Sequence, residues 1–329
     1  MQPWMWLPSG FEWSSLASTP DMPMPEVETL QACVGTAVLV LMFRMLHHCL
    51  FGLPLATAVG LNRSRRGYLA DCYRLAIHGL PVKSKLHRFI DCFYKLCFHM
   101  FIFLYGIWYL RSTTWYDDFL NCWYGYPEHA LNPYVKWHYV IETTYYWSAL
   151  YITLSNPWRK DFQINFLHDL VTLSLLYMSW TMNMVRVGSL ILVIHDIGDI
   201  FIEMAKLARY ASMDTLCNIS FGTLVVVWII SRLCIYPTLI FSAVVDAPLL
   251  VPTIAIPPMI LALYVMLVAL VMLHFVWTCM IYRIVANSFQ TKGKIEDVRS
   301  DSEQSDCEEL MADGKGDGGR ERNGIGAIG

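Results

Sequence analysis

The chain has 329 residues, of which 56% are hydrophobic and only 16% are charged, with a mean hydropathy of +0.41. Soluble domains carry about 25% charged residues, so this composition excludes an ordinary soluble domain and indicates an all-α protein that crosses a membrane several times. The formal net charge of −3 gives no reason to expect a nucleic-acid partner.

The N-terminal segment 1–28 begins MQPWMWLPSGFEW. It lacks the basic and apolar regions of a cleavable signal peptide, and its tryptophans suit a membrane–water interface. The ten cysteines fall mostly inside apolar stretches, and neither a Cys-x-x-Cys pair nor a Cys/His ligand spacing is found. We therefore expect no metal site, no cofactor and no redox role.

Seven apolar stretches are long enough, at about 20 residues each, to cross a bilayer as helices. They lie near 29–50, 93–110, 134–154, 166–185, 187–205, 217–244 and 259–285. The fifth is the weakest because charges interrupt it, and 186–188 is the only turn expected between the fourth and the fifth. The predicted organisation is an interfacial segment 1–28, a first transmembrane helix 29–61, a basic loop 62–92, a six-helix bundle 93–286 and a tail 287–329.

Basic residues are concentrated in alternate connections. Segment 62–92 holds seven of them, whereas 245–258 holds none. The positive-inside rule therefore predicts a lumenal N-terminus and a cytosolic C-terminus. The tail contains KIEDVRSDSEQSDCEE, a composition typical of disorder. Its Ser300, Ser302 and Ser305 are candidate sites for an acid-directed kinase, although a purely solvating tail explains the composition equally well.

Polar residues recur along the fourth and fifth spans at helical spacing, so each set is expected to occupy one helix face. An ionisable group inside a bilayer costs roughly 2.5–3.5 kcal/mol on insertion scales. We therefore expect the two faces to line one cavity that opens toward the cytosol, with His168 level with Glu203–Lys206 and Ser179 near His195. The first set is His168, Thr172, Ser179, Asn183 and Arg186, and the second is His195, Asp196, Asp199 and Glu203.

A histidine among carboxylates can accept a proton or attack an activated carbonyl. Acyl transfer from a thioester to an amine requires such a base, and apolar walls would suit a long hydrocarbon chain. A hydrogen-bond network that only holds helices together is one alternative, and a proton or ion pathway is another.

The pattern H..VT..L...SW..N..R.GSL....HDIGDIFIEMAKLARY, which starts at His168, resembles the longevity-assurance motif of ceramide synthases within the TLC domain. WLPSGFEW, WYGYP, YYWS, RKDF and EDVRSDSE extend the likeness over most of the chain. The resemblance implies a TLC-domain bundle in the endoplasmic reticulum membrane that encloses a lipid cavity. It also implies acyl-CoA as co-substrate, a sphingoid base as acyl acceptor, contact with membrane lipids, and homo- or hetero-dimers with other ceramide synthases.

The resemblance also assigns residues. It implies that His168, His195, Asp196 and Asp199 are catalytic, and that a second set supports them: Asp169, Thr172, Ser179, Asn183, Arg186, Glu203 and Lys206. It further implies that Asp246, Pro248, Leu249 and Leu250, within the connection 246–252, influence acyl-chain length.

Two features depart from the family pattern. The family's adjacent histidine pair is here His168-Asp169. We hypothesise that His168 is the base or acyl acceptor and that Asp169 is tolerated beside it. The segment 62–92 is also too short for the homeobox-like insert of many animal members.

Several roles stay open on the sequence alone. A catalytically inactive, lipid-binding or regulatory TLC protein is the main alternative to an enzyme, and a transporter is another. Lys206 and Arg209 are expected either to meet CoA phosphates or to act as ordinary membrane anchors. Arg232, inside the sixth span, is either a structural partner or a phosphate contact.

Overall fold

The computed structural model describes residues 2–62, 67–78, 84–156, 162–251 and 257–290, excepting the side chains of 77–78 and 288–290. These residues are mostly helical and include no β-strand, which confirms the all-α prediction. The main helices are α1 Val27–Ala58, α2 Tyr68–His78, α3 Lys85–Leu110, α4 Pro133–Leu154, α5 Phe162–Thr181, α6 Val185–Tyr210, α7 Asp214–Leu250 and α8 Pro258–Gln290. Short helical turns at Pro3–Trp6, Trp13–Leu16, Thr114–Asp117 and Phe119–Cys122 complete the described elements.

Within the described residues, four helices are long and apolar enough to cross a bilayer: Val27–Ala58, Lys85–Leu110, Asp214–Leu250 and Pro258–Asn287. Their mean hydropathy runs from 1.4 to 2.7. This confirms a polytopic membrane protein. The helices α4, α5 and α6 match predicted spans in position and length but carry more polar residues, so the count of seven spans stays a prediction.

Helix α7 runs through two prolines without ending. A π-helical turn at Ile229–Ile235 precedes Pro237, and another at Ser242–Asp246 precedes Pro248. Proline lacks an N–H and clashes with the carbonyl four residues earlier, and the wider π turn accommodates both defects. The expectation that 246–252 is a simple connection is therefore wrong, since Asp246, Pro248, Leu249 and Leu250 lie in the last turns of α7. Residues 252–256 lie outside the described part.

The predicted basic loop 62–92 also contains helix. It holds all of α2, and α3 begins at Lys85, where the Ser84 hydroxyl accepts the His87 N–H at 3.1 Å. In the first turns of α3, Asp91 pairs with Arg44 of α1 and with Lys95 at 3.3 Å. These charges compensate one another, which allows α3 to start about two turns earlier than its apolar stretch predicts.

The turn between α5 and α6 lies at 182–184, not at the predicted 186–188. Asn183 adopts the left-handed conformation at φ +55°, the Asn183 N–H donates to Trp180 O at 3.1 Å, and the Met184 N–H donates to Ser179 O at 2.7 Å. These two bonds form a Schellman motif, which ends a helix with a glycine or asparagine in this conformation. Arg186 and Gly188 consequently lie inside α6.

Helix α6 occupies the centre of the bundle. It packs against α3 on one side and α7 on the other, while α4 packs against α1 and α5, and α5 against α8. Gly106 of α3 permits the closest approach to α6, because a Cβ there would overlap the Val193 side chain.

The two ends of the bundle are named by their contents. The turn face holds the turn 182–184, the connection 111–132 and the N-terminal segment, which is joined to it by the bond from Trp180 Nε1 to Glu26 O at 2.8 Å. The tail face is the opposite end, where α5 begins and α8 ends.

Candidate active site

A cavity of about 800 Å³, open space at its mouth included, lies between α4, α5, α6, α7 and α8. Aliphatic side chains form most of the wall, and four of the predicted polar residues contribute to it: His168, Thr172, Ser179 and His195. For these four, the expectation that α5 and α6 line a common cavity is correct.

The cavity has one open and one closed end. Near its tail-face end, the side chain of His168 is 23% exposed and that of Asp199, from the neighbouring α6, is 30% exposed. At its turn-face end, Trp123, Met184 and Ala243 are 2%, 4% and 3% exposed. The His168 end is therefore the more exposed end of the cavity.

His168 is surrounded by a carboxylate, a hydroxyl and two aromatic rings. Its Nδ1 lies 3.4 Å from Asp169 Oδ1, and its Nε2 lies 3.5 Å from Thr172 Oγ1. The rings of Tyr146 and Trp277 flank the imidazole at centroid distances of 6.1 and 5.3 Å. A carboxylate on Nδ1 favours the tautomer in which Nε2 carries a free lone pair.

Asp169, which stands where the family pattern has a histidine, is held by α4. Its Oδ2 accepts a hydrogen bond from Thr153 Oγ1 at 2.8 Å. The carboxylate is buried and bridges Thr153 to His168. Asp169 is thus placed to orient the His168 ring through Nδ1.

His195 has a fixed orientation. Its Nδ1 donates to Ile191 O at 2.6 Å, which leaves Nε2 facing Nε2 of His274 at 3.2 Å. Two lone pairs cannot form a hydrogen bond, so the pair is hydrogen-bonded only when one of these nitrogens carries a proton. The second imidazole of the cavity is thus coupled to a buried third one on α8.

Arg232 links this pair to Asp199. Its Nη2 donates to His195 O at 2.7 Å and lies 3.7 Å from Asp199 Oδ1, while its Nη1 lies 3.4 Å from His274 Nε2. The guanidinium also sits 5.3 Å from the Trp228 ring centre. A buried cation beside Asp199 compensates its charge inside the membrane.

The expectation that Asp196 shares a face with His195 is wrong. Adjacent residues on a helix point about 100° apart. Asp196 points toward α3 and α4, where its Oδ1 lies 3.3 Å from His99 Nδ1, and it does not line the cavity.

Behind Asp196 lies a sealed polar cluster of Asp196, His99, His138 and Glu142, and the partly exposed Asp199 lies at its edge. The ligand-capable atoms of His138, Glu142 and Asp196 lie within 4.8 Å of one another, and those of His99, Asp196 and Asp199 do as well. His138 and Glu142 are 0% and 1% exposed. Burying two carboxyl groups side by side requires a shared proton or a cation to neutralise them.

Asn183 and Arg186 lie at the turn face and hold the connection 111–132. Asn183 Nδ2 donates to Pro127 O at 2.7 Å and to His129 O at 2.9 Å. Arg186 Nη1 donates to Asn121 O at 2.8 Å, and its guanidinium covers the Trp115 ring at 5.0 Å. Neither side chain lines the cavity.

The register of α5 against α6 differs from the expected one because the turn lies four residues earlier. Moving the centre of a helical hairpin by four residues moves each facing position by about eight. Ser179 accordingly lies beside Gly188, with its Oγ 3.1 Å from the Tyr139 hydroxyl, and His168 lies near Asp199. Glu203 and Lys206 pair with each other at 2.9 Å toward the tail face.

Several site residues were missed in the sequence. His274 and His99 are lone histidines in apolar helices, and Glu142 is a lone acid in α4. An isolated ionisable group in a spanning helix is the signal that could have identified them. The predicted chain-length residues Asp246, Pro248, Leu249 and Leu250 do not line the cavity, whereas Leu239 and Ala243 of the same helix do. Ser300, Ser302 and Ser305 lie outside the described residues.

The TLC domain family matches residues 88–283. Ceramide synthase hyl-1 of Caenorhabditis elegans is 33% identical over 310 residues, covering 90% of this chain and 82% of that protein. Human ceramide synthase 5 is 36% identical over 226 residues, covering 68% of this chain and 57% of its own, and human ceramide synthase 3 is 28% identical over 334 residues, covering 91% and 86%. The chain thus belongs to the ceramide synthase family of TLC-domain proteins.

Proposed function

We propose that this protein transfers a fatty acyl group from acyl-CoA to the amine of a long-chain sphingoid base, giving ceramide or dihydroceramide and free CoA. The proposal rests on the position of His168. It lies at the more exposed end of an apolar cavity, with the Asp169 carboxylate against its ring. The cavity suits a hydrocarbon chain, and its open end leaves the polar thioester beside the imidazole. The relatives named as ceramide synthases support the same reaction.

The reaction forms one C–N bond and breaks one C–S bond. The amine nitrogen attacks the thioester carbonyl carbon, and the amine proton passes to the departing CoA thiolate. His168 Nε2 can carry that proton as a general base and then a general acid, or can first attack the carbonyl and form an acyl-imidazole. In both routes Asp169 stabilises the positive charge on the ring.

The polar groups beside His168 have supporting roles in this proposal. Thr172 donates or accepts at Nε2, and Tyr146 covers one side of the ring. Arg232 compensates the charge of Asp199 and donates to the backbone carbonyl of His195, which holds α6 behind the reacting atoms. Asp196 acts through the sealed cluster with His99, Glu142 and His138.

We place the protein in the endoplasmic reticulum membrane with its turn face lumenal and its tail face cytosolic. Basic residues cluster toward the tail face (Lys85, Arg88, Lys95, Lys206 and Arg209), as the positive-inside rule requires of the cytosolic side. Cytosolic acyl-CoA then reaches the open end directly. The ammonium of Lys206, whose side chain is 44% exposed, is available to CoA phosphates. Asn62 tests this orientation, since its Asn-Arg-Ser sequence would stay unglycosylated, and a glycan on Asn62 would reverse the topology.

The decisive experiment uses membranes from cells that lack endogenous ceramide synthases. The wild type, His168→Ala and the outward-facing control Leu170→Ala are expressed, given sphinganine with a panel of acyl-CoAs, and assayed for N-acyl products by mass spectrometry. Leu170 is 46% exposed on the same helix. We expect product from the wild type and Leu170→Ala only. Absence of product from correctly inserted wild type would contradict the enzyme and leave a lipid-binding or regulatory relative.

A second experiment separates the two chemical routes. Purified wild type is incubated with palmitoyl-CoA alone, without a sphingoid base, and its peptides are analysed by mass. A palmitoyl adduct on His168 that disappears when sphinganine is added supports the acyl-imidazole route. Release of CoA only when both substrates are present supports direct transfer.

A further inference from the structure

The closed end of the cavity limits the acyl chain that can enter. Resting on the proposed function, we propose that Trp123, Met184, Ala243 and Leu263 form a floor that restricts this protein to long-chain acyl-CoA, from myristoyl to stearoyl. Very-long chains such as behenoyl and lignoceroyl are excluded. The four side chains line the turn-face end and are 2%, 4%, 3% and 6% exposed.

Two helices give the depth of the cavity from His168 to the floor. On α6, fifteen residues separate Asp199, which lies near His168, from Met184. On α8, fourteen residues separate Leu263 from Trp277, whose ring lies against His168. At about 1.5 Å of rise per residue, these separations correspond to roughly 22 and 21 Å.

This depth converts into a number of carbon–carbon bonds. An extended chain advances roughly 1.3 Å per bond, because three backbone bonds separate Cα atoms that are about 3.8 Å apart. The cavity therefore holds roughly 16 to 18 bonds beyond a carbonyl placed at His168. Myristoyl, palmitoyl and stearoyl chains fit within this length, whereas behenoyl and lignoceroyl chains are several ångströms too long.

The floor is tied to the helices around it. Trp123 Nε1 donates to Ser242 Oγ at 3.0 Å, which fixes the indole against α7 one residue before Ala243. The Tyr264 hydroxyl donates to Ala243 O at 2.6 Å and joins α8 to the same point. A longer chain would have to break these buried hydrogen bonds, so the structure supports a sharp limit.

The residues expected to select chain length differ from those predicted from the sequence. The residues expected from the sequence lie beyond it: Leu249 is 75% exposed, and neither it nor Asp246, Pro248 or Leu250 reaches the cavity wall. Ala243 lies one turn earlier on α7 and points inward. Substitutions at Ala243 should therefore change selectivity more than substitutions at Leu249.

The first test is a competition assay. Membranes with the wild type receive sphinganine and an equimolar mixture of myristoyl-, palmitoyl-, stearoyl-, behenoyl- and lignoceroyl-CoA. We expect the first three to give products at least roughly tenfold above the last two, since each methylene that cannot be accommodated is costly. Equal use of lignoceroyl- and palmitoyl-CoA would overturn the floor.

The second test moves the floor. Ala243→Leu fills its end of the cavity and should shift the preferred chain toward myristoyl, whereas Met184→Ala deepens it and should shift the preference toward longer chains. Val244→Leu is the matched control, because Val244 is the next residue, is 44% exposed and faces away from the cavity. Unchanged product profiles in both cavity variants would contradict the proposal.

A binding measurement keeps the floor separate from the enzyme. Absence of product with every acyl-CoA would contradict the proposed function but would not measure the floor. The thermal stability of purified wild type is therefore recorded with each acyl-CoA in turn. Stabilisation that falls sharply between stearoyl- and behenoyl-CoA supports the floor, and equal stabilisation by all five overturns it.

Discussion

Two ends of one sequence motif perform different tasks in this protein. In the half nearer the tail face, the side chains of His168 and His195 line a cavity. In the half at the turn face, Asn183 and Arg186 donate hydrogen bonds to backbone carbonyls of the connection 111–132. The residue types alone do not distinguish the two tasks. Side-chain direction does, because His168 and His195 line the cavity whereas Asn183 and Arg186 point to the connection 111–132.

The largest expected effect is the loss of catalytic activity when His168, which lines the cavity, is replaced. His168→Ala removes the group that handles the proton or the acyl chain, and we expect ceramide formation to fall at least roughly 100- to 10,000-fold. The variant should still accumulate and insert normally, since His168 is partly exposed and Asp169 keeps its hydrogen bond from Thr153. More than a tenth of wild-type activity in His168→Ala would contradict a catalytic role for His168.

A smaller loss is expected at the neighbouring carboxylate. Asp169→Asn keeps the shape and the contact with Thr153 but removes the charge that stabilises the protonated His168 ring, so activity should fall roughly 10- to 1,000-fold. Turnover should fall while KM for acyl-CoA stays within about threefold. Asp169→His restores the family pattern and should retain activity. Equal activity of Asp169→Asn and wild type would mean that the carboxylate only fastens α5 to α4.

Substitutions at the turn face should lower the free energy of unfolding. Asn183→Ala removes the hydrogen bonds to two buried carbonyls and places alanine, which disfavours positive φ, in the left-handed conformation. Together these effects should cost roughly 2–4 kcal/mol. Asn183→Gly keeps the backbone conformation and loses only the hydrogen bonds, so its loss should be the smaller of the two. Thermal unfolding of the purified proteins measures both.

The smallest expected effect is a pH dependence of stability that arises from His129 in the connection 111–132. Burial in the connection 111–132, together with nearby Arg186, lowers the pKa of His129 to about 4. The unfolded chain takes up this proton near pH 6.5 and the folded chain does not, so stability should decrease by at most about 2 kcal/mol as the pH falls from 7 to 5.

His129→Gln provides the control for that pH dependence. The thermal midpoints of wild type and variant are compared at both pH values, and the wild type should lose more on acidification. Equal losses would show that His129 is not held neutral by the fold.

The sequence predicted the helices well and their relative placement poorly. Apolar stretches place seven of the eight main helices, although α3 starts earlier and α1 and α7 end later than these stretches, and α2 lies in a segment predicted as a loop. The turn was misplaced because Asn183 can adopt the left-handed conformation that ends a helix, and this moved Ser179 from His195 to Gly188. Asp196 was assigned to the cavity because its partner His99 lies about a hundred residues away on another helix. Such contacts depend on tertiary packing, which helical periodicity does not contain.

The most direct test of the division between the two halves is ceramide formation per folded molecule. Wild type, His168→Ala and Asn183→Ala are purified in detergent, the monodisperse fraction of each is quantified, and its turnover is measured. We predict a normal yield with little or no turnover for His168→Ala. For Asn183→Ala we predict a low yield but near wild-type turnover per folded molecule. Folded but inactive Asn183→Ala, or active His168→Ala, would contradict it.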